Sequence, residues 1–225
     1  LPLPSLYEIL NQLQFITREL AILGLFVTGG LMVLLRDWRA SLLALLGQYL
    51  LAGLVLSRLL LPEIALIKIL IGALICPMLY LAARQAGWRA GRKLLPSSDD
   101  ASTTTPAQDS LFPGGLAFRL LAVTLMVILA AALSRRYPLP AVPPDVGLGS
   151  YWLILIGLLI LMLTEEPFKG GQGLLTAIIG FELFYTSIER SLAMVWLWAV
   201  VNLLLALAIA YLAVVRGAGP SEEGL

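Results

Sequence analysis

Seven apolar runs dominate the 225-residue chain, at roughly 16 to 35, 40 to 60, 64 to 83, 116 to 134, 151 to 164, 170 to 188 and 191 to 215. Crossing ~30 Å of hydrocarbon as a helix takes about 20 apolar residues, and backbone groups in lipid must be satisfied within the segment itself. The fifth run is short for a span and can borrow Leu148 to Ser150 at its start. With 60% hydrophobic and 13% charged residues and a mean hydropathy of +0.93, there is too little polar surface to cover a soluble globule. The fold class is all-α: a polytopic membrane helix bundle of about seven transmembrane helices in contact with the lipid bilayer.

Composition also removes function classes. A net charge of +1, with basic residues beside helix ends, gives no nucleic-acid face. The single cysteine, Cys76, lies inside the third run and can form no intrachain disulfide. The chain has no histidine, so haem or pigment ligation through imidazole, Ser-His-Asp chemistry and most metal sites lose their usual ligand. No cofactor and no metal are expected. No basic segment precedes the first apolar run, so a cleaved signal peptide is not expected either.

The pattern breaks at 84–115, where a basic, Trp-containing stretch (Arg84, Trp88, Arg89, Arg92, Lys93) leads into PSSDDASTTTPAQDS. The first part reads as an interfacial helix end with cationic side chains reaching headgroups, the second as a flexible linker. The loop Arg135 to Ser150, with Pro138, Pro140, Pro143 and Pro144, is expected to be extended. The chain then divides into a three-helix unit at 1–83, the linker at 84–115, a connecting helix and loop at 116–150, a second three-helix unit at 151–216 and a tail at 217–225.

Laying the first three runs over the last three with a shift of 134 residues puts Gln48 on Glu182 and Lys68 on Asn202. Two parallel three-helix units would need one extra crossing between them, and the fourth run supplies it. Placing the N-terminus outside leaves Arg36, Arg39, Arg84, Arg89, Arg92, Lys93, Arg119, Lys169 and Arg216 on the cytoplasmic side and Arg18, Arg58, Arg135, Arg136 and Arg190 outside. The positive-inside rule therefore expects N-out and C-in, in the inner (plasma) membrane.

Glu182 is the only charge in Gly170 to Ile188, about 18 Å of helix beyond Gly170 and about 10 Å before Glu189. A carboxylate at such depth costs roughly 2.5–3.5 kcal/mol on insertion scales. Low dielectric favours the neutral form of a carboxyl group, so an acid there can load and release a proton as its surroundings change. Its bland role is a neutral, hydrogen-bonded helix glue, for which Gly180, Thr176, Thr186 and Ser187 provide close packing and partners.

Lys68 is the only charge between Glu63 and Arg84; it either snorkels toward the Glu63 end or serves as a relay cation. Gln48 and Asn202 can hold water or an ionisable neighbour, or simply join helices. Pro77 lacks the donor for the Ala73 carbonyl and should kink the third helix. Glu182, Lys68, Gln48 and Asn202 are the candidate proton or ion relay. The paired Glu165 and Glu166 resemble the EExxxR pattern of intramembrane CAAX-type proteases, but the fourth position after Glu166 is Gly170, and those enzymes also need histidines. A cytoplasmic loop with a Pro-Gly turn is expected there instead.

Tyr151 to Arg216, with Gly180, Phe181, Glu182 and Leu183, resembles the three-helix K-type subunit of respiratory complex I. The second membrane glutamate of that family corresponds to Asn202, which leaves a two-carboxylate relay incomplete within this unit. Over most of its membrane part the chain is similar to component E of hydrogenase-4 and formate hydrogenlyase complexes, through Arg39 to Gln48 and through Ile67 to Arg84 with Lys68, Pro77, Tyr80 and Ala82 to Arg84. The resemblance implies a subunit without catalytic chemistry of its own, packed beside antiporter-like large subunits in a proton- or sodium-translocating complex. The alternatives are a non-catalytic accessory subunit of a respiratory or photosynthetic complex, and an independent small-solute transporter.

Overall fold

The computed structural model describes the backbone of residues 6–35, 37–59, 62–92, 115–139, 142–189 and 191–217, and side chains within 20–35, 37–57, 66–85, 115–139, 142–189 and 191–215. These residues form seven helices and no strand: α1 (Leu6–Leu34), α2 (Trp38–Leu59), α3 (Pro62–Arg92), α4 (Leu116–Arg136), α5 (Pro144–Leu163), α6 (Pro167–Ile188) and α7 (Leu192–Gly217). Five of them, α2, α3, α4, α5 and α7, are long and apolar enough to cross a membrane, and the chain is a multi-pass helical bundle. The described apolar part of α1 is the shorter Leu20–Leu34. At 22 residues α6 is about 33 Å long, and it carries Gln172 and Glu182, both buried.

Two expectations about loops are corrected. The stretch 135–150 is not extended throughout, because α4 runs on to Arg136 and α5 already starts at Pro144. The Thr164 to Lys169 segment is not a loop with a Pro-Gly turn: only 164–166 connect the helices, and Pro167 opens α6. The cause is the same at both places. The first turn of a helix has no use for its own N–H groups, and proline's fixed φ suits that position. The connecting segment therefore ends at 143 rather than 150, and α3 continues as helix through the basic stretch to Arg92; the polar linker beyond it lies outside the described residues.

The helices stand in two slabs. In one, α2 packs between α1 and α3; in the other, α6 packs between α5 and α7. Across the seam α1 faces α5, α2 faces α6 and α3 faces α7, while α4 leans on α5 with only Ala130 buried. Facing pairs run in the same direction. Leu25 and Gly29 of α1 meet Trp152 and Ile156 of α5 in that order, and Ser41 and Gln48 of α2 meet Gln172 and Thr176 of α6.

In lipid, helices gain nothing from hiding apolar surface from one another, so close backbone approach and polar contacts must hold them. At the α5–α6 contact a Cβ on Gly157 would lie 2.5 Å from the Gly173 oxygen, and one on Gly180 would lie 2.8 Å from the Ser150 oxygen. Gly173, Ala177 and Gly180 thus form a small-residue stripe against α5. Across the seam, the buried Trp152 indole donates to the Leu25 carbonyl at 3.1 Å and stacks on Phe26, with ring centroids 4.7 Å apart. The carbonyl end of α1, where intrahelical donors run out, is met by Lys169 at the Leu35 oxygen (2.8 Å) and Arg119 at the Val33 oxygen (3.5 Å).

Candidate functional site

One face of α6 carries Gln172, Thr176, Ile179, Glu182 and Thr186, spaced by three and four residues, and all are buried. The α2–α6 and α6–α7 contacts turn this face to the seam. Six residues into α3, about 9 Å from its start, Lys68 points into the same seam.

There the four central helices each contribute one side chain. Lys68 Nζ donates to Glu182 Oε2 in a buried ion pair, with Lys68 2% and Glu182 3% exposed. Asn202 Nδ2 of α7 donates to the same carboxylate oxygen at 3.2 Å and to the Trp198 carbonyl at 2.8 Å. Tyr49 of α2 donates its hydroxyl to Asn202 Oδ1 at 3.0 Å, and its ring centroid lies 5.1 Å from Lys68 Nζ, within range of a cation–π contact. Gly72, one turn beyond Lys68, makes this possible, because a Cβ there would collide with the Cβ of Tyr49.

The lysine is therefore turned inward rather than snorkelling to its helix end. A buried charge pair is tolerable where remaining polar atoms are also bonded, and here the carboxylate, amide and phenol form one chain of donors and acceptors.

A second polar segment continues along α6 toward its N-terminal end. Ser41 donates to Gln172 Oε1 at 2.5 Å, and the Thr176 hydroxyl lies 2.9 Å from Gln48 Oε1 and 2.9 Å from the Gln172 carbonyl. Having one proton, Thr176 donates to one of them at a time. Among the described residues, Gln48 Nε2 and Gln172 Nε2 are buried without a hydrogen-bond partner. Buried amides of this kind are normally satisfied by ordered water. From Gln172 to Glu182 this face spans about 15 Å.

Of the four expected relay residues, three meet: Lys68, Glu182 and Asn202. Gln48 does not touch them. Its partner Thr176 lies six residues, about 9 Å, before Glu182, so across the seam Gln48 faces a point between Gln172 and Glu182 rather than Glu182 itself. Sequence reasoning overlooked Tyr49, Ser41 and Gln172. Tyr49 adjoins Gln48 in mid-span, and Gln172 interrupts the glycine run Gly170, Gly171, Gly173; both were available signals. Glu165 and Glu166 are exposed at the α5–α6 turn, away from the seam. Among the described residues no three His, Cys, Asp or Glu side chains converge as metal ligands would.

No family model, no curated protein and no solved structure matches this chain.

Proposed function

We propose that the chain is an integral membrane subunit of a proton- or sodium-translocating, energy-converting complex of the hydrogenase-4 or complex I kind, in which Glu182 and Lys68 are the ionisable centre of a buried relay. The observation that carries this reading is the meeting of a carboxylate from one slab with an ammonium from the other, where neither reaches water. Ionisable groups at membrane depth are rare, pair with one another and mark ion pathways.

In operation, the pair exchanges between its charged and neutral forms as the charge on neighbouring subunits changes. Asn202 and Tyr49 keep the carboxyl oriented in both forms, since amide and phenol can each donate or accept. The polar face through Thr176, Gln48, Gln172 and Ser41 provides the approach from the side carrying Arg39 and Lys169. That side is cytoplasmic in the N-out, C-in orientation within the inner membrane. Antiporter-like large subunits are the partners, and α4, with only Ala130 buried, offers them a flank.

The test is ion translocation in inverted membrane vesicles of the native host carrying Glu182→Gln or Glu182→Asp. Glu182→Gln, in a complex that still assembles, is expected to lower translocation at least ten-fold, and Glu182→Asp to retain a measurable part. Unchanged translocation by the assembled Glu182→Gln complex would overturn the relay and leave a structural subunit.

A further inference from the structure

Outside the seam, the valley between α2 and α3 holds a groove of about 590 Å3 lined by Arg39, Leu42, Leu43, Leu46, Ala73, Cys76, Pro77 and Tyr80. Its volume is that of a small-molecule site rather than a seat for another helix. The lining is graded along the helix axes. Arg39 and Tyr80 stand at the mouth, beside Trp38, whose ring centroid is 5.7 Å from that of Tyr80. Below them the walls are wholly apolar down to Leu46 and Ala73, about 10 Å deeper by helix rise. Ala73 and Pro77 keep the α3 wall low, and the Cys76 thiol, 4.0 Å from the Leu42 carbonyl, closes the floor between the helices.

Arg39 is exposed, and among the described residues its guanidinium forms no ion pair; it lies 5.2 Å from the centroid of the Trp38 ring. Arg84, one turn past Tyr80, is exposed at the same end of α3. A planar guanidinium beside an aromatic pair at headgroup level is suited to a phosphodiester, which it can bind through two parallel hydrogen bonds. An apolar channel directly beneath is suited to an acyl chain.

We propose that this groove is a binding site for one anionic phospholipid, its headgroup phosphate held by Arg39 with the Tyr80 hydroxyl and one acyl chain lying against Leu43, Leu46, Ala73 and Pro77. A partner helix in the same place would have to cover an unpaired guanidinium with apolar side chains, which is unfavourable unless it brings an acid. The lipid supplies the opposite charge and the hydrocarbon together.

The experiment is native mass spectrometry of the full chain, purified in mild detergent with whatever remains bound to it, after addition of phosphatidylglycerol or phosphatidylcholine. Wild type is expected to retain one phosphatidylglycerol at least five-fold more than phosphatidylcholine. Arg39→Gln should abolish that preference, and Ala73→Phe, which fills the groove without touching charge, should reduce retention of both lipids. Equal retention of the two lipids by wild type, or retention unaltered in both variants, would overturn the site. Independently of how those variants fold, a photo-crosslinking residue in place of the exposed Leu43 should capture a single lipid mass in native membranes. Capture of a polypeptide there would overturn the proposal in favour of a protein neighbour.

Discussion

Lys68 and Glu182 constrain each other more tightly than either does alone. Removing one partner of a buried pair leaves an uncompensated charge and typically costs about 3–5 kcal/mol, whereas replacing both by apolar groups is often neutral. Lys68→Met alone is therefore expected to destabilise the bundle by roughly that amount, and Lys68→Met with Glu182→Met to recover most of it, as read by unfolding in SDS from mixed micelles. Additive losses would show that the two side chains do not interact. Tyr49→Phe keeps the ring near Lys68 and removes only the donor to Asn202, for an expected loss of about 1 kcal/mol in the same assay. Glu182 was legible because no other charge shares its span. Lys68 was ambiguous because its four-carbon stem could equally have reached the helix end, and only the three-dimensional position of α6 decides between them. Tyr49 was hidden because a phenol in a span reads as one more bulky apolar residue until its hydroxyl has a partner.

At the level of elements, the seven runs foretold the seven helices, since hydrophobic length is a one-dimensional property. Their starts were harder to place. Pro144 and Pro167 each end one segment and open the next, and only backbone geometry distinguishes a proline in an extended loop from one in a first helical turn. The α5–α6 contact makes a sharper prediction. Gly173 sits against the Gly157 backbone and Ile160, so Gly173→Leu should push the helices apart and reduce the yield of folded protein several-fold in detergent. Gly170, one turn earlier, has nothing within 4 Å of its would-be Cβ, and Gly170→Ala should leave yield unchanged. Equal effects of the two would mean that backbone proximity at Gly173 is not what joins these helices.

At the level of the whole molecule, two slabs with facing helices parallel require the ends of α1 and α4 to lie on opposite sides of the bilayer. In a Cys76→Ser background, Asp37→Cys should label with a membrane-impermeant maleimide only from one side of the membrane, and Tyr137→Cys only from the other. Both positions are exposed in the bundle. Labelling of the two from the same side would contradict the alternating passage of the helices. The polar coincidences under the shift of 134 residues compare the halves with each other and carry no contact between them: in the bundle Gln48 meets Thr176, and Lys68 reaches across to Glu182. Contacts between halves depend on how they face each other, which no alignment of one half on the other contains.

The two halves of the bundle are clasped by a buried pair of opposite charges, with α3 holding one end and α6 the other. A hydrogen ion delivered to that clasp would cancel an attraction as well as occupy a site. Loading and loosening would then be one event, and the resistance of the halves to sliding would track the charge between them.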